Sequence, residues 1–365
     1  MPIDFDVLKS APRILIEAAL KPVAGSRFQP TGFPDLGAAI YDAPGDNGGT
    51  IPTLLVESAQ SMANRLESVC WDEATDGIVE SLKGLPYVLV KLAGLGDGKD
   101  TTTSLQEFHR LNSPYIMSGM LGDKSFADVL KPELGMSAVA GKAKKSIKKA
   151  DAEPATEEAS APATEKEPDD VAGVVNLRRL AKACFKYDPN SLIHGIFLEK
   201  IAGRLRHPRA LSAFIEASGV GRADSGGVKF DRVLPKPSVA GVDAKGGYGN
   251  VPFHRTEFTA KSITAYFSID LAQIRGYGLP DEAMKLLVAL SIWKVRQFLD
   301  SNMRLRTACE LELTEGEKSI VVKRPTGFIL PATKDFGNSI SELIGQCKSL
   351  FVNPAVTELT WNNSK

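Results

Sequence analysis

The 365-residue sequence has few of the residues from which metal sites and nucleophilic centres are built. It contains four histidines and four cysteines, and the cysteines lie far apart, without a CxxC pair or a nearby histidine at zinc-ligand spacing. This distribution predicts reduced, mostly buried thiols. No histidine stands in a recognisable nucleophile motif or in an HExxH pair. We therefore expect no cofactor, no metal and no catalytic residue.

Long apolar runs and a net charge are also missing. No segment approaches the roughly 18 consecutive apolar residues that span a bilayer, and no apolar h-region follows the start. We therefore expect a cytoplasmic protein without membrane contact. Lysine plus arginine and aspartate plus glutamate both total 44. This balance counts against a generic nucleic-acid binder, although local patches matter more than the total charge.

Residues 137–173 differ sharply in composition from the rest of the chain. Their first part is lysine-rich, and the second consists largely of alanine, proline, threonine and glutamate. Large apolar side chains are almost absent, so this segment cannot offset the entropy lost on ordering. We expect a disordered or flexible insertion between an N-terminal part, 1–136, and a C-terminal part, 174–365. Its lysines fit either a solvated linker or an RNA tether.

Hydrophobic patterns on both sides of this insertion predict an α+β fold, with an antiparallel sheet backed by helices. Residues 262–271 alternate as a half-buried strand, and 281–302 carry the apolar stripe of a helix. Residues 11–20 fit either a strand or a short helix. Further strands are predicted at 87–92, 192–198 and 305–313.

Residues 226–254 read as a long extended hairpin. The segment is rich in glycine, contains a Pro-Lys-Pro turn, and lies between the strand-like stretches 228–233 and 251–258. A long surface loop without a ligand is the alternative interpretation. Its basic residues are Lys229, Arg232, Lys236 and Lys245.

Two N-terminal segments combine polar groups in a way that suits a phosphate backbone. Residues 27–37 form a loop by composition, because prolines and glycines interrupt any regular ladder. Residues 57–67 open an amphipathic helix whose apolar face is predicted from Ala59, Met62, Ala63, Leu66 and Val69. On its other side, an uncharged row of hydrogen-bonding side chains ends in Arg65.

A local basic surplus lies further along the chain. Residues 200–257 hold ten basic against five acidic side chains, which is a plausible footprint for a phosphate backbone. Its densest part is Arg204, Arg206 and Arg209, whose guanidinium groups can engage phosphate oxygens bidentately. The alternative interpretation of this basic cluster is a solvated surface that binds no ligand. His254, at the base of the predicted hairpin, could stack on a base or serve no such role.

These segments resemble a known family. Residues 27–37 and 57–67 look like the N-terminal signature of the CRISPR-associated RAMP proteins that form the backbone of type I effector complexes, specifically the type I-G branch, formerly called I-U. The resemblance continues through 212–217, 226–229, 249–253 and 304–309, and covers most of the chain outside the insertion.

The resemblance implies both a fold and a role. The fold would be an RRM-like (ferredoxin-like) palm with inserted helical fingers and a β-hairpin thumb, here at about 226–256. The role would be sequence-independent binding of CRISPR RNA by repeated copies of the chain, which present the guide to target DNA. Further implied partners are a fused repeat-processing and handle-binding subunit and a large subunit. The residues expected to contact RNA are Arg27, Gln29, Thr31, Ser58, Gln60, Ser61, Asn64, Arg65, Arg204, Arg206, Arg209, Lys229, Arg232 and His254.

Two other functions stay open at this stage. A metal-dependent ribonuclease of the same superfamily would need carboxylates, and Asp231 and Asp270 are the candidates, although neither has a visible second carboxylate beside it. A protein-interaction scaffold would bind partners through 137–173 without contacting RNA.

Overall fold

The computed structural model describes residues 3–33, 35–45, 48–93, 100–136, 175–199, 201, 205–232, 249–336 and 339–362. The predicted insertion 137–173 lies outside these residues. The strands are β1 Arg13–Pro22, β2 Gly32–Phe33, β3 Gly37–Ala38, β4 Ile40–Pro44, β5 Thr50–Glu57, β6 Trp71–Asp72, β7 Gly77–Ile78, β8 Tyr87–Ala93, β9 Thr101–Thr103, β10 Met120–Leu121, β11 Lys124–Ser125, β12 Ile196–Leu198, β13 Leu205–His207, β14 Leu211–Ser218, β15 Gly221–Lys229, β16 Val251–Thr259, β17 Ser262–Asp270, β18 Met303–Arg306, β19 Cys309–Leu313, β20 Ile320–Arg324 and β21 Val356–Asn362.

The helices alternate with these strands along the chain. They are α1 Phe5–Leu8, α2 Ala59–Ser68, α3 Pro114–Met117, α4 Phe126–Glu133, α5 Leu177–Tyr187, α6 Asn190–His194, α7 Leu271–Gly276, α8 Asp281–Asp300, α9 Thr333–Phe336 and α10 Ser339–Gln346, with short 3-10 turns at Glu80–Leu82, Arg110–Asn112, Gly316–Ser319 and Lys348–Leu350. The protein is therefore a mixed α/β structure with antiparallel pairing in its main sheet, as the sequence predicts.

The chain forms two compact units. The larger one comprises Met1–Leu85, Leu192–His194 and Pro208–Phe351, and the smaller one Pro86–Ser191, Gly195–His207 and Val352–Lys365. Within the described residues, the smaller unit has a five-stranded sheet of order β11-β10-β21-β8-β9, in which β21 runs parallel to β8.

The main sheet of the larger unit has the order β18-β19-β1-β17-β14-β5-β4, with β20 also paired to β1. Its centre is β17, which pairs antiparallel with β1 on one side and with β14 on the other. Ile263, Ala265, Phe267 and Ile269 of β17 are buried, while the alternate side chains are half-buried. The predicted alternation of this strand is confirmed, because a sheet with one covered face requires it.

Helices α8 and α2 lie against the covered face of the main sheet. Helix α8 begins after Pro280 with Asp281 and Glu282, whose negative charges suit the positive end of the helix dipole. Most of its length is buried, including Trp293 and Phe298. In α2, Met62, Ala63 and Leu66 are buried, which confirms the core face predicted for that helix.

Two predicted strands are wrong in detail. Residues 192–198 were expected to be one strand, but α6 ends at His194, Gly195 turns the chain with φ +79°, and only β12 is extended. Residues 305–313 are interrupted between β18 and β19, where Ala308 has φ +60°. Short apolar runs do not distinguish a buried helical turn from a strand. The ambiguous segment 11–20 forms a strand, β1.

Strands β15 and β16 form a hairpin ladder of their own, from Gly221↔Thr259 to Lys229↔Val251. A hairpin is therefore present where the glycine-rich segment predicted one, although β15 begins seven residues before the predicted 228–233.

All four cysteines are free and buried, as expected. In the part of the chain that the structure describes, no helix has the length and apolarity needed to cross a membrane.

Candidate nucleic-acid interface

The loop at Ser26–Thr31 is fixed by backbone hydrogen bonds to three other elements. Phe28 and Phe258 of β16 exchange bonds in both directions, each 2.9 Å long. The Gln29 N–H donates to the Ala308 carbonyl at 2.8 Å, and the Thr31 N–H donates to the Val56 carbonyl at 2.9 Å. Phe28 is almost fully buried. A loop held in this way presents its remaining polar side chains in a defined geometry.

Helix α2 starts directly beside this loop. Ser58 is its N-cap, and the Ser58 hydroxyl accepts a hydrogen bond from the Ser61 N–H at 3.3 Å. Capping by serine satisfies one of the free N–H groups at a helix start. Gln60 is exposed, whereas Asn64 is half-buried and its Oδ1 has no hydrogen-bond partner among the described residues.

A fully buried carboxylate, Glu57, joins the loop, the helix and strand β18. Arg65 Nε donates to Glu57 Oε1 at 2.7 Å, the Ser61 hydroxyl donates to the same oxygen, and Arg306 pairs with Glu57 Oε2. Arg306 Nη1 also donates to the carbonyls of Gln29 and Val56, at 3.1 Å each. Glu57 therefore links α2 to β18 directly, and Arg306 extends this link to the loop.

The side chains of the two arginines in this network are largely buried, 26% exposed for Arg65 and 24% for Arg306. Burial lowers the pKa of the Arg65 guanidinium and likewise that of Arg306. Arg65 additionally donates to the carbonyls of Arg304, at 3.4 Å, and Leu305. Its donors therefore point largely into the protein. Sequence reasoning missed Glu57 and Arg306, although a carboxylate at a strand end, followed by a helix with arginine eight residues later, was a readable signal.

Arg27 lies on the rim of a polar cleft of about 310 Å³, lined by Pro22, Ala24, Gly25, Ser26, Arg27, Glu257, Ala308 and Glu310. The Arg27 side chain is 55% exposed, and its Nη1 is 3.3 Å from Glu257 Oε2. Glu257 is buried and also accepts from the Ser225 hydroxyl at 3.0 Å. Arg27 thus has one internal partner and keeps donors facing solvent.

Gln60 and Arg209 meet on the exposed side of α2. Arg209 Nη2 donates to Gln60 Oε1, and Arg209 Nε donates to the His194 carbonyl at 3.2 Å. Beneath them, the buried Lys294 Nζ lies 3.0 Å from His194 Nε2 and 3.4 Å from the Leu66 carbonyl. His194 is fully buried, and both its backbone carbonyl and its Nε2 take part in these contacts.

The hairpin carries the remaining basic candidates of the larger unit. Lys229, Arg232 and His254 are exposed, and His254 Nε2 is 3.6 Å from Asp224 Oδ1. A hydrogen bond from the Arg222 side chain lowers the pKa of Asp224. Phe253 is 47% exposed, with the Arg255 guanidinium 5.6 Å from the centre of its ring. An exposed ring between basic side chains is suited to stacking on a base.

Two candidates belong to the smaller unit or fall outside the described residues. Arg206 is exposed on β13, with its guanidinium 4.9 Å from the centre of the Phe197 ring on the paired strand. Arg204 lies outside the described residues.

Of the two residues considered for ribonuclease chemistry, Asp270 uses its carboxylate in a local hydrogen bond and Asp231 uses its backbone N–H in one. Asp270 is the N-cap of α7 and accepts from the Gln273 N–H at 2.8 Å. The Asp231 N–H donates to Asn250 Oδ1 at 2.9 Å. The described residues contain no cluster of three or more histidine, cysteine, aspartate or glutamate side chains that could hold a metal ion.

A family model described as CRISPR-associated protein GSU0053 matches residues 14–222, more than half of the chain. The chain belongs to this CRISPR-associated family. The resemblance inferred from 27–37 and 57–67 is thereby confirmed, and both segments lie within the matched residues. No curated protein matches the chain.

Two solved structures resemble this GSU0053-family chain loosely. One is described as a CRISPR RNA-guided surveillance complex, pre-nicking, with 14% identity, a TM-score of 0.37, and coverage of 82% of this chain and 76% of the other. The second is Csc2 of Thermofilum pendens, with 10% identity, a TM-score of 0.29, and coverage of 95% of this chain and 80% of the other.

Proposed function

We propose that this GSU0053-family chain is the repeated backbone subunit of a type I-G CRISPR surveillance complex. Several copies would bind one CRISPR RNA head to tail, an assembly whose length the RNA sets. Because spacers vary, binding is independent of sequence and uses phosphates and 2′-hydroxyls, which leaves the base edges free to pair with target DNA. In this role the chain binds without catalysing a reaction and needs no cofactor.

The observation that carries the proposal is the convergence on Glu57. The loop Ser26–Thr31, helix α2 and strand β18 are three of the segments on which the family resemblance depends. Helix α2 and β18 meet at this buried carboxylate, and the loop is joined to it through Arg306. An interior ion pair is a costly way to gain stability alone, so a role in holding a specific local geometry is the better explanation. That geometry leaves Arg27 and Gln60 at the surface.

The individual contacts follow from the chemistry of each side chain. Arg27 and Arg209 supply charge to phosphates, while Gln29, Thr31 and Gln60 supply neutral hydrogen bonds. Arg65, Ser58 and Ser61 contribute mainly by fixing the loop and the helix. The main sheet with α2 and α8 corresponds to the palm, helices inserted around it to the fingers, and β15–β16 to the thumb. Lys229, Arg232 and His254 then lie on the thumb.

The other members of the complex follow from this assignment. A fused repeat-processing and handle-binding subunit would hold one end of the guide, a large subunit would complete the particle, and target DNA would join through the guide. Arg206 would add a phosphate contact from the smaller unit, and Arg204, outside the described residues, stays a further candidate. Such a complex would operate in the cytoplasm.

The proposal is tested by co-expressing the chain with a CRISPR array and the processing subunit, purifying it, and sequencing the RNA that accompanies it. We expect discrete repeat-spacer RNAs of uniform length, bound in proportion to protein. A matched pair of double variants sharpens the result. Arg27→Gln with Arg209→Gln should release RNA, whereas Lys21→Gln with Lys285→Gln, which removes two lysines outside the interface, should not.

An RNA-free monomer at physiological salt would contradict the proposal. Deleting 137–173 separates it from the scaffold hypothesis, because the backbone role expects RNA binding to survive the deletion. Asp231→Ala and Asp270→Ala separate it from the ribonuclease hypothesis, which requires one of them to abolish magnesium-dependent cleavage.

A further inference from the structure

The main sheet has a second face that the proposed RNA contacts do not use. In β1, β14 and β17, every other side chain is buried against the helices, and the alternate ones are half-buried or exposed. We call this side of the sheet the open face. It is formed by Val321, Glu17, Tyr266, Phe214, Glu216, Leu55 and Tyr41.

The strand register sets these side chains in two neighbouring rows. In the first row, Val321 is opposite Glu17, Glu17 is opposite Tyr266, and Tyr266 is opposite Phe214. In the second row, Glu216 is opposite Leu55. The two rings of the first row are stacked, with centroids 5.0 Å apart and 25° between their planes. Opposed residues on one face of a sheet are close enough for their side chains to interact.

Tyr41 adds a third ring beside the second row. The Tyr41 hydroxyl donates to Glu216 Oε1, and Tyr41 is 42% exposed. Val321, at the end of the first row, is 47% exposed. The open face therefore combines three aromatic rings and two aliphatic side chains with two carboxylates.

The centre of the open face is acidic. Burial raises the pKa of Tyr266, and the charges of Glu17 and Glu216 raise it further, so both carboxylates act on the same ring. Two cations of β20 lie nearby. Lys323 has its Nζ 3.5 Å from Glu17 Oε2 and its side chain 51% exposed, and Arg324 is opposite Leu15. At one end of the face, Arg13 is opposite Asp270 in the strand register.

We propose that the open face docks an arginine-bearing segment of a partner polypeptide. A guanidinium group stacks on tyrosine and phenylalanine rings and pairs bidentately with carboxylates, so one arginine can satisfy both features of this face. Lysine, a point charge without a flat surface, fits less well. RNA fits poorly, because stacking a base on Tyr266 would bring phosphates towards Glu17 and Glu216.

The test uses the full chain after nuclease treatment and short fluorescein-labelled peptides of alternating arginine and glycine, lysine and glycine, or glutamate and glycine. Fluorescence anisotropy should show the arginine peptide binding about fivefold more tightly than the lysine peptide, and the glutamate peptide not binding. Replacing both carboxylates, Glu17→Gln with Glu216→Gln, should weaken arginine-peptide binding about fivefold. The control pair Glu73→Gln with Glu80→Gln removes two other acidic side chains of the same unit and should change nothing.

A second variant keeps the test independent of any folding defect. Lys323→Gln removes the cation beside Glu17 and leaves both carboxylates, so it should strengthen arginine-peptide binding. Equal affinities for the arginine and lysine peptides, or equal losses in the two glutamine pairs, would overturn the proposal. An oligouridylate that loses affinity in a Tyr266→Leu variant, which removes the ring for stacking, would also overturn it and assign the open face to RNA.

Discussion

Arg65 Nε donates a 2.7 Å hydrogen bond to the carboxylate of Glu57, a side chain with no exposed surface. Arg306 contacts the other oxygen of the same carboxylate. The chain thus places two guanidinium groups against one buried negative charge, at the meeting point of the segments that define its family resemblance. The side chains that hold the surface and those that can reach a ligand are therefore different sets.

Removing the buried carboxylate should destabilise the protein strongly. Glu57→Ala leaves Arg65 and Arg306 without their shared anion, and breaking a buried pair from one side costs about 3 kcal/mol in the free energy of unfolding. Glu73→Ala, at an exposed position, should stay within about 0.5 kcal/mol of the parent protein. Urea denaturation followed by circular dichroism measures both. Similar values for the two variants would mean that the network adds no net stability.

Arg65→Ala should weaken guide binding uniformly across spacer sequences, because the loop and helix that carry the proposed contacts lose their internal support, and it should leave the salt slope unchanged. The contacts with Glu57 and with two backbone carbonyls make a loss of stability the accompanying expectation. Filter binding at several salt concentrations, at a temperature where the variant is folded, separates a lost phosphate contact from a loss of stability. A slope lowered by about one unit would instead show that the Arg65 guanidinium contacts a phosphate. A loss confined to particular spacers would contradict the sequence-independent role.

The hairpin offers a matched pair of glycine substitutions. A Cβ at Gly226 would lie 2.3 Å from the Phe253 carbonyl oxygen, which belongs to the paired backbone and cannot move alone. A Cβ at Gly227 would meet the Phe253 ring at 3.2 Å, and a ring can rotate away. We expect Gly226→Ala to raise amide hydrogen exchange throughout β15 and β16, and Gly227→Ala to leave it nearly unchanged. Equal protection in both variants would show that the ladder tolerates the clash.

Lys294 should be required for the core around His194. Lys294→Met removes the Nζ that contacts the His194 ring and the Leu66 carbonyl, and leaves those buried groups short of a partner, at a cost of about 1–3 kcal/mol. Lys285→Met on the same helix, at a half-exposed position, is the control. Chemical denaturation should show a lower midpoint for the first variant alone. An unchanged midpoint would indicate that methionine packing compensates for the lost contacts.

The protein should lose stability in alkaline solution. Burial raises the pKa of the Cys347 thiol to about 12 from 9.0, and it also raises that of Cys309. A group whose folded pKa is raised contributes its full stability below the unfolded pKa, and that contribution is lost as pH rises above it towards the folded value. The free energy of unfolding should therefore fall above about pH 9. Cys347→Ala should make this fall shallower, and a variant with the parent slope would contradict the assignment.

Periodicity predicted the regular parts of the fold. The alternation of β17 and the apolar stripe of α8 are visible in the sequence, because each element has one face against the core. The hairpin followed from glycine content and flanking strands. The prediction of one strand around Gly195 was wrong. A five-residue helix and a three-residue strand carry the same apolar pattern there, and only the positive φ of Gly195 separates them.

The sequence predicted which residue types belong to the candidate site, but not how their side chains are arranged. Ser58 and Ser61 were correctly placed at a helix start, yet the sequence gives no indication that a hydroxyl there serves Glu57 rather than a ligand. Arg306 lies almost 250 residues from Glu57 in the chain, so their pairing depends on the position of β18 in the fold. Long-range ion pairs of this kind have no local sequence signal.

The reciprocal hydrogen bonds between Phe28 and Phe258 limit how the β15–β16 hairpin can move. Phe258 is one residue from the end of β16, so the root of the hairpin is bonded to the same loop that carries Arg27. Any swing of the hairpin that preserves these bonds must pivot beyond Phe258, towards the tip. Such a swing would leave the loop that carries Arg27 in place.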